Sequence, residues 1–200
     1  MESVYCFRVG SEDCFKVGRT KSNPKERKDD VSVGSPQKLT EYRAIETEHA
    51  SKLEWYIHRA LDMKRAENGE FFLVKPSELD DAINDGLAFL HKSLPLLKQV
   101  EEFKKTKPNE QMREPSKGDR SLYRALRESR KELFLLEQKI LILQSQLEVA
   151  IGKNLGLKGI ASWKWQEAAR FNLIVFKEEH PDLYEKYKKS SATRVFRLLR

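Results

Sequence analysis

Leu126, Leu133, Ile140 and Leu147 recur every seven residues, and Ser129, Leu136, Leu143 and Ala150 repeat that spacing three residues later. Rows alternating three and four apart lie on one face only in an α-helix. About four heptads therefore commit this part of the chain to one long helix. Phe134, Leu141 and Ile142 widen the stripe beyond a narrow seam. Such a stripe leaves water in one of two ways. It pairs with a second copy as a homodimer through residues 121–151, or it packs on the chain's own C-terminus.

The helix is isolated on its N-terminal side. The stretch KKTKPNEQMREPSKGDR (104–120) holds two prolines, one glycine and almost no apolar residue. It reads as a linker, so the 200-residue chain divides into an N-terminal domain (1–104), a linker (105–120) and a helical module (121–200). Gly152, Gly156 and Gly159 break the long helix at its other end.

Charge separates the same parts. The net +7 arises in the last eighty residues, where 16 Lys+Arg stand against 9 Asp+Glu. A basic module on a near-neutral remainder points to an anionic partner, with DNA first in line. Its aromatic and cationic residues interleave. Trp163 and Trp165 offer faces for base stacking, and Lys164, Lys188, Lys189, Arg194 and Arg197 offer backbone contacts.

The N-terminal domain reads as α+β. Val4–Val9 and Cys14–Gly18 are β-branched and aromatic runs around a Gly10-Ser11-Glu12-Asp13 turn, which signals a hairpin. A helix follows, with Asn23 as its cap, Pro24 at its first position and Glu26 where a capping-box carboxylate belongs. Residues 39–45 read as a third strand, and residues 47–65 and 76–104 as helices. The expectation is a small antiparallel sheet flanked by helices, followed by the linker and a mainly helical C-terminal region.

Composition removes several classes. No run of ~18 apolar residues exists to cross a membrane. The opening MESVYCFRVG lacks a basic region followed by an apolar run, so no signal peptide is expected. Cys6 and Cys14 have no zinc spacing. They could face each other across the hairpin, but two small thiols in a reducing cytoplasm is the stronger reading.

The segment ENGEFFLV sets Glu70 directly before an apolar run, Phe71–Val74. An apolar anchor beside a carboxylate fixes the carboxylate's position. Together Tyr5, Lys16, Arg27 and Glu70 supply a phenol for proton relay, two cations for phosphate oxygens and one carboxylate for a divalent metal. Gly18 lets the backbone approach a ligand closely. Phosphodiester hydrolysis needs such parts.

The motifs VYCF, CFKVGRT, PKERKDDV, LEWYIHRAL and RAENGEFFLV occur in an order that resembles a GIY-YIG nuclease domain of the variant common in phage and bacterial genomes. The resemblance spans residues 3–75. SVY stands where that family has GIY, and Lys16 stands where it has its second tyrosine. The resemblance implies Tyr5 as the water-activating phenol, Lys16 as an assisting cation, Arg27 as the catalytic arginine and Glu70 as the ligand of one Mg²⁺ or Mn²⁺. It also places His58 beside the site, to bind phosphate or orient water; a lone helix histidine is otherwise structural. Arg19, next to Gly18, is a candidate phosphate contact. The C-terminal stretch resembles the tail module of YqaJ-type phage recombination nucleases.

The expectation is a phage- or prophage-type metal-dependent endonuclease acting on DNA in the cytoplasm of a bacterial host cell. The alternatives are a catalytically weak regulator on the same scaffold, binding DNA or a host protein, and an RNA-targeting effector of defence.

Overall fold

A computed structural model describes residues 2–33, 37–66, 69–109 and 111–198. The chain separates into two compact units, residues 1–107 and 108–200.

The first unit is built on a four-stranded antiparallel sheet, with β1 Glu2–Val9, β2 Cys14–Thr20, β3 Leu39–Thr47 and β4 Phe71–Leu73 in the order β3-β1-β2-β4. Its helices are α1 Pro24–Ser32, α2 Ala50–Ala60 and α3 Pro76–Lys105. This is the expected α+β arrangement. The β1–β2 register sets Tyr5 opposite Gly18 and Phe7 opposite Lys16. Directly opposed residues share a face, and neighbours along a strand alternate. Tyr5, Phe7, Lys16 and Gly18 therefore lie on one face, and Val4, Cys6, Phe15 and Val17 on the other.

Each face has its own core. Val4, Cys6, Phe15, Val17 and Phe72 pack against Leu53 and Ile57 of α2 and Leu79 and Ile83 of α3. Tyr42 and Arg43 fasten β3 to α3 by bonds of 2.7 and 2.9 Å to Asp80. Gly86 permits the close approach of α2 and α3, since a Cβ there would meet Leu53 at 2.9 Å and Tyr56 at 3.0 Å. On the opposite face Tyr5, Phe7, Val9 and Leu39 form a smaller core, which Val31 of α1 and Phe71 complete.

Local chemistry explains the helix ends. Asn23 caps α1 by accepting from the Lys25 amide at 2.9 Å, with Pro24 in the first turn. The expected helix over 47–65 is shorter. It runs as α2 and then tightens into a single 3₁₀ turn over Asp62–Lys64, because Leu61 leaves the helical region.

The two thiols are free. Cys6 is on the α2–α3 face and Cys14 belongs to the Tyr5 face, so strand alternation keeps them apart.

The second unit begins with α4, Lys117–Ile151, a helix of 35 residues. Ser116 and Asp119 form a reciprocal cap, and Arg113 grips Asp119 with two bonds of 2.8 Å. That cap starts the helix early, so the last four residues of the expected linker are helical. Gly152, at φ 57°, ends it. A short hairpin of β5 Gly156–Leu157 and β6 Ala161–Ser162 follows, then α5 Leu173–Glu179 and α6 Pro181–Tyr187. Leu133, Leu136, Ile140, Leu143 and Leu147 remain about half exposed. Near the start of α4, Phe196 and Leu198 line an open groove with Leu122, Tyr123 and Leu126, and Leu122 and Phe196 stay exposed. No described helix is long and apolar enough to cross a membrane.

Candidate active site

Lys16 projects from the middle strand β2 onto the Tyr5 face. Its side chain is buried, and its Nζ lies 2.5 Å from Oε2 of Glu70 and 4.8 Å from the centre of the Phe71 ring. A lysine buried in this way needs a counter-charge, and Glu70 supplies it. Glu70 stands one residue before β4, and its side chain is 51% exposed. The carboxylate therefore neutralises Lys16 through one oxygen and still faces solvent.

The apolar run after Glu70 alternates, with Phe72 and Val74 buried and Leu73 exposed. Phe71 packs with the Tyr5 core. The run is thus a short edge strand pinned by every second side chain.

Tyr5 is 2% exposed and stacks on Phe7 with ring centres 4.3 Å apart. Its hydroxyl sits over Gly18, where a Cβ would lie 2.5 Å from the phenolic oxygen. No described residue bonds that hydroxyl, yet it is not sealed, since Ser93 Oγ is the only fully buried unpartnered side-chain atom among the described residues. The tip of the phenol is therefore the part that solvent reaches.

Arg27 comes to this face through α1. Pro24, Arg27, Lys28, Val31 and Ser32 are the half-buried positions of that helix, a spacing of one inner stripe. Val31 anchors the stripe on the Tyr5 core, and Arg27 lies one turn earlier. Its guanidinium makes no hydrogen bond or ion pair with another described residue.

Two candidates stand apart. His58 approaches the plane of the sheet from α2, where its Nε2 lies 3.1 Å from the Val17 carbonyl. A carbonyl only accepts, so Nε2 is the protonated nitrogen in this contact. The ring also packs edge-on against Phe72 at 5.0 Å. The pairing of β2 with β4 has ended by Val17, whose amide donates to the Glu70 carbonyl at 3.1 Å. His58 satisfies the carbonyl that β4 leaves behind. Arg19 extends on the α2 side of the sheet, with Nε 3.0 Å from Glu54 and a second contact of 3.7 Å to Glu2. It does not join Tyr5 and Lys16.

One residue that positions the site went unread in the sequence. Arg65 donates to the Gly69 carbonyl, to Asp62 at 3.2 Å and, at the limit of bonding, to the His58 carbonyl at 3.4 Å. Its guanidinium lies over the Phe72 ring at 4.9 Å. The Ala66 amide donates to the Phe71 carbonyl at 2.8 Å. Arg65 thus ties down the turn that delivers Glu70. In the sequence, the Asn68-Gly69 dipeptide, a strong turn former, is the signal for a turn ahead of Glu70; Glu67 and Asn68 lie outside the described residues.

Among the described residues no three carboxylates, histidines or cysteines converge as a metal cage. Glu70 offers an exposed carboxylate oxygen beside Lys16 on the Tyr5 face. One carboxylate, with waters and substrate oxygens, suits Mg²⁺, which dehydrates reluctantly.

In the second unit Trp163, Lys164 and Trp165 line one concavity with Lys153 and Leu155. Trp165 is 100% exposed and Trp163 about half exposed. Lys188 pairs with Glu185 at 3.0 Å, while Lys189, Arg194 and Arg197 lie on exposed, irregular chain.

The fold and this face define a small α+β domain with a phenol, a buried lysine–carboxylate pair and an arginine on one side of an antiparallel sheet. Residues 2–86 match the T5orf172 domain, which occurs in phage and bacterial nuclease-like proteins. No curated protein and no solved structure matches the chain.

Proposed function

We propose that the N-terminal domain is a GIY-YIG-type endonuclease that hydrolyses phosphodiester bonds in DNA with Mg²⁺ or Mn²⁺. The observation that carries this reading is the shared face. The solvent-reaching hydroxyl of Tyr5 lies one cross-strand step from the Lys16–Glu70 pair, and Arg27 overlies the same side on α1. The T5orf172 match over residues 2–86 supports it.

In this reading a water attacks phosphorus, and the Tyr5 oxygen relays its proton. One P–O bond forms as the bond to the leaving oxygen breaks. Arg27 and Lys16 stabilise the charge that grows on the non-bridging oxygens. Gly18 leaves room over the strand for the Tyr5 hydroxyl, which a side chain there would displace. Glu70 would hold the metal ion, which when bound supplies Lewis-acid neutralisation of the phosphate. The basic, aromatic C-terminal unit would supply sequence-independent affinity for DNA.

Plasmid and single-stranded DNA incubated with the purified protein in Mg²⁺, Mn²⁺ or EDTA test the proposal. Metal-dependent cleavage supports it, and none with either metal refutes it. A second reading has its own observation. Lys16 already occupies one oxygen of Glu70, the carboxylate that would hold the metal, which favours a weak or inactive scaffold that binds DNA or a host protein. DNA binding without cleavage would select it.

A further inference from the structure

The apolar face of α4 carries a charge pattern that specifies what covers it. We propose that two copies of this chain pair through α4 as an antiparallel coiled coil, centred between residues 134 and 135.

Arg130, Glu132, Glu137 and Lys139 flank the seam of Leu126, Ser129, Leu133, Leu136, Ile140 and Leu143. In an antiparallel pair the residues preceding the first seam row face one another, as do those following the second row. Centring the two-fold axis between residues 134 and 135 sets Glu132 against the partner's Lys139 and Arg130 against the partner's Glu137. Symmetry repeats both contacts, which gives four attractive pairs.

The same register matches the apolar rows. Leu133 faces the partner's Leu136, Leu126 the partner's Leu143, and Leu122 the partner's Leu147. Ser129 against the partner's Ile140 is the one mixed layer between them. The overlap takes in nearly the whole of Lys117–Ile151, so the helix ends where its pairing ends.

The parallel alternative fails on charge. With the copies in register, Glu132 faces the partner's Glu137 on both sides of the seam. Arg130 and Lys139 then face the partner's Ala125 and the partner's Gln144, and find no counter-charge. Like charges across a seam repel, and the pattern selects against that arrangement. The half exposure of Leu133, Leu136, Ile140, Leu143 and Leu147 leaves the seam open for a partner. In the antiparallel pair the two helix N-termini lie at opposite ends of the rod, about 50 Å apart at ~1.5 Å per residue. The proposal is independent of the nuclease reading.

The test uses the full chain. Sedimentation should give twice the 23.4 kDa of one chain. Glu132→Lys should weaken the dimer about tenfold or more, because two attractive pairs become repulsive, and adding Lys139→Glu should restore it. In a Cys14→Ser background, oxidation of a mixture of the Leu126→Cys and Leu143→Cys proteins should give a covalent dimer, and either protein alone should not. A monomer at all concentrations overturns the proposal. So does a tighter dimer on Glu132→Lys, or a covalent dimer from one cysteine variant alone; both indicate parallel pairing.

Discussion

The hydroxyl of Tyr5 occupies the space that a side chain at position 18 would fill. A Cβ on Gly18 would meet the phenolic oxygen at 2.5 Å and the ring carbon bearing it at 2.7 Å. Tyr5 is packed on Phe7 and has little room to retreat. Gly18→Ala should therefore destabilise the domain by about 1–3 kcal/mol through overpacking. Tyr5→Phe in that background should recover part of the loss, because it removes the nearest atom. Urea unfolding of the two variants checks this.

His58 carries a distinct prediction. Its ring satisfies the Val17 carbonyl, which no strand reaches. His58→Leu should lower stability by about 1–3 kcal/mol, the cost of an unpaired buried carbonyl. A variant with unchanged stability and greatly reduced cleavage would instead give His58 a catalytic role.

Arg65 holds the turn before Glu70 through Gly69, Asp62 and Phe72. Arg65→Ala should speed amide exchange around Ala66 and Phe71 while the β1–β2 pairing keeps its protection. Equal protection in wild type and variant would remove Arg65 from the positioning of Glu70.

Cys6 offers a pH signature. Burial pushes its thiol from 9.0 up to about 12, with Arg43 opposing and Asp80 adding to the shift. The folded state therefore binds the thiol proton more tightly than the unfolded state does. The stability this gives is fully present below pH 9.0 and is lost as pH rises toward 12. Cys6→Ala should flatten that part of the stability profile. At pH 8 iodoacetamide should modify native Cys14 before Cys6, since Cys14 is only partly buried. Simultaneous labelling would contradict the burial of Cys6.

Some of this molecule was legible in sequence because the signals are local. The β1–β2 hairpin, the Asn23 cap and the Gly152 stop each depend on a few neighbouring residues. The parity of Arg19 was legible too. It lies three residues beyond Lys16 on one strand, so alternation already sent it to the other face. The Lys16–Glu70 contact joins residues 54 apart in sequence; the resemblance named both as site residues, but neither it nor spacing announced that they would pair. His58 and Arg65 satisfy backbone carbonyls whose need appears only once β4 has docked short of Val17. No local pattern announces such a vacancy.

A nicking assay on the wild type beside Glu70→Gln and Arg27→Ala tests most directly the proposed cleavage of DNA at the Tyr5 face. The wild type should nick plasmid in Mg²⁺ or Mn²⁺ and not in EDTA. Glu70→Gln should abolish metal-dependent cleavage, and Arg27→Ala should slow it by about 10²–10³ with the fold intact. Cleavage at the wild-type rate by Glu70→Gln in Mg²⁺ would contradict the assignment of the site.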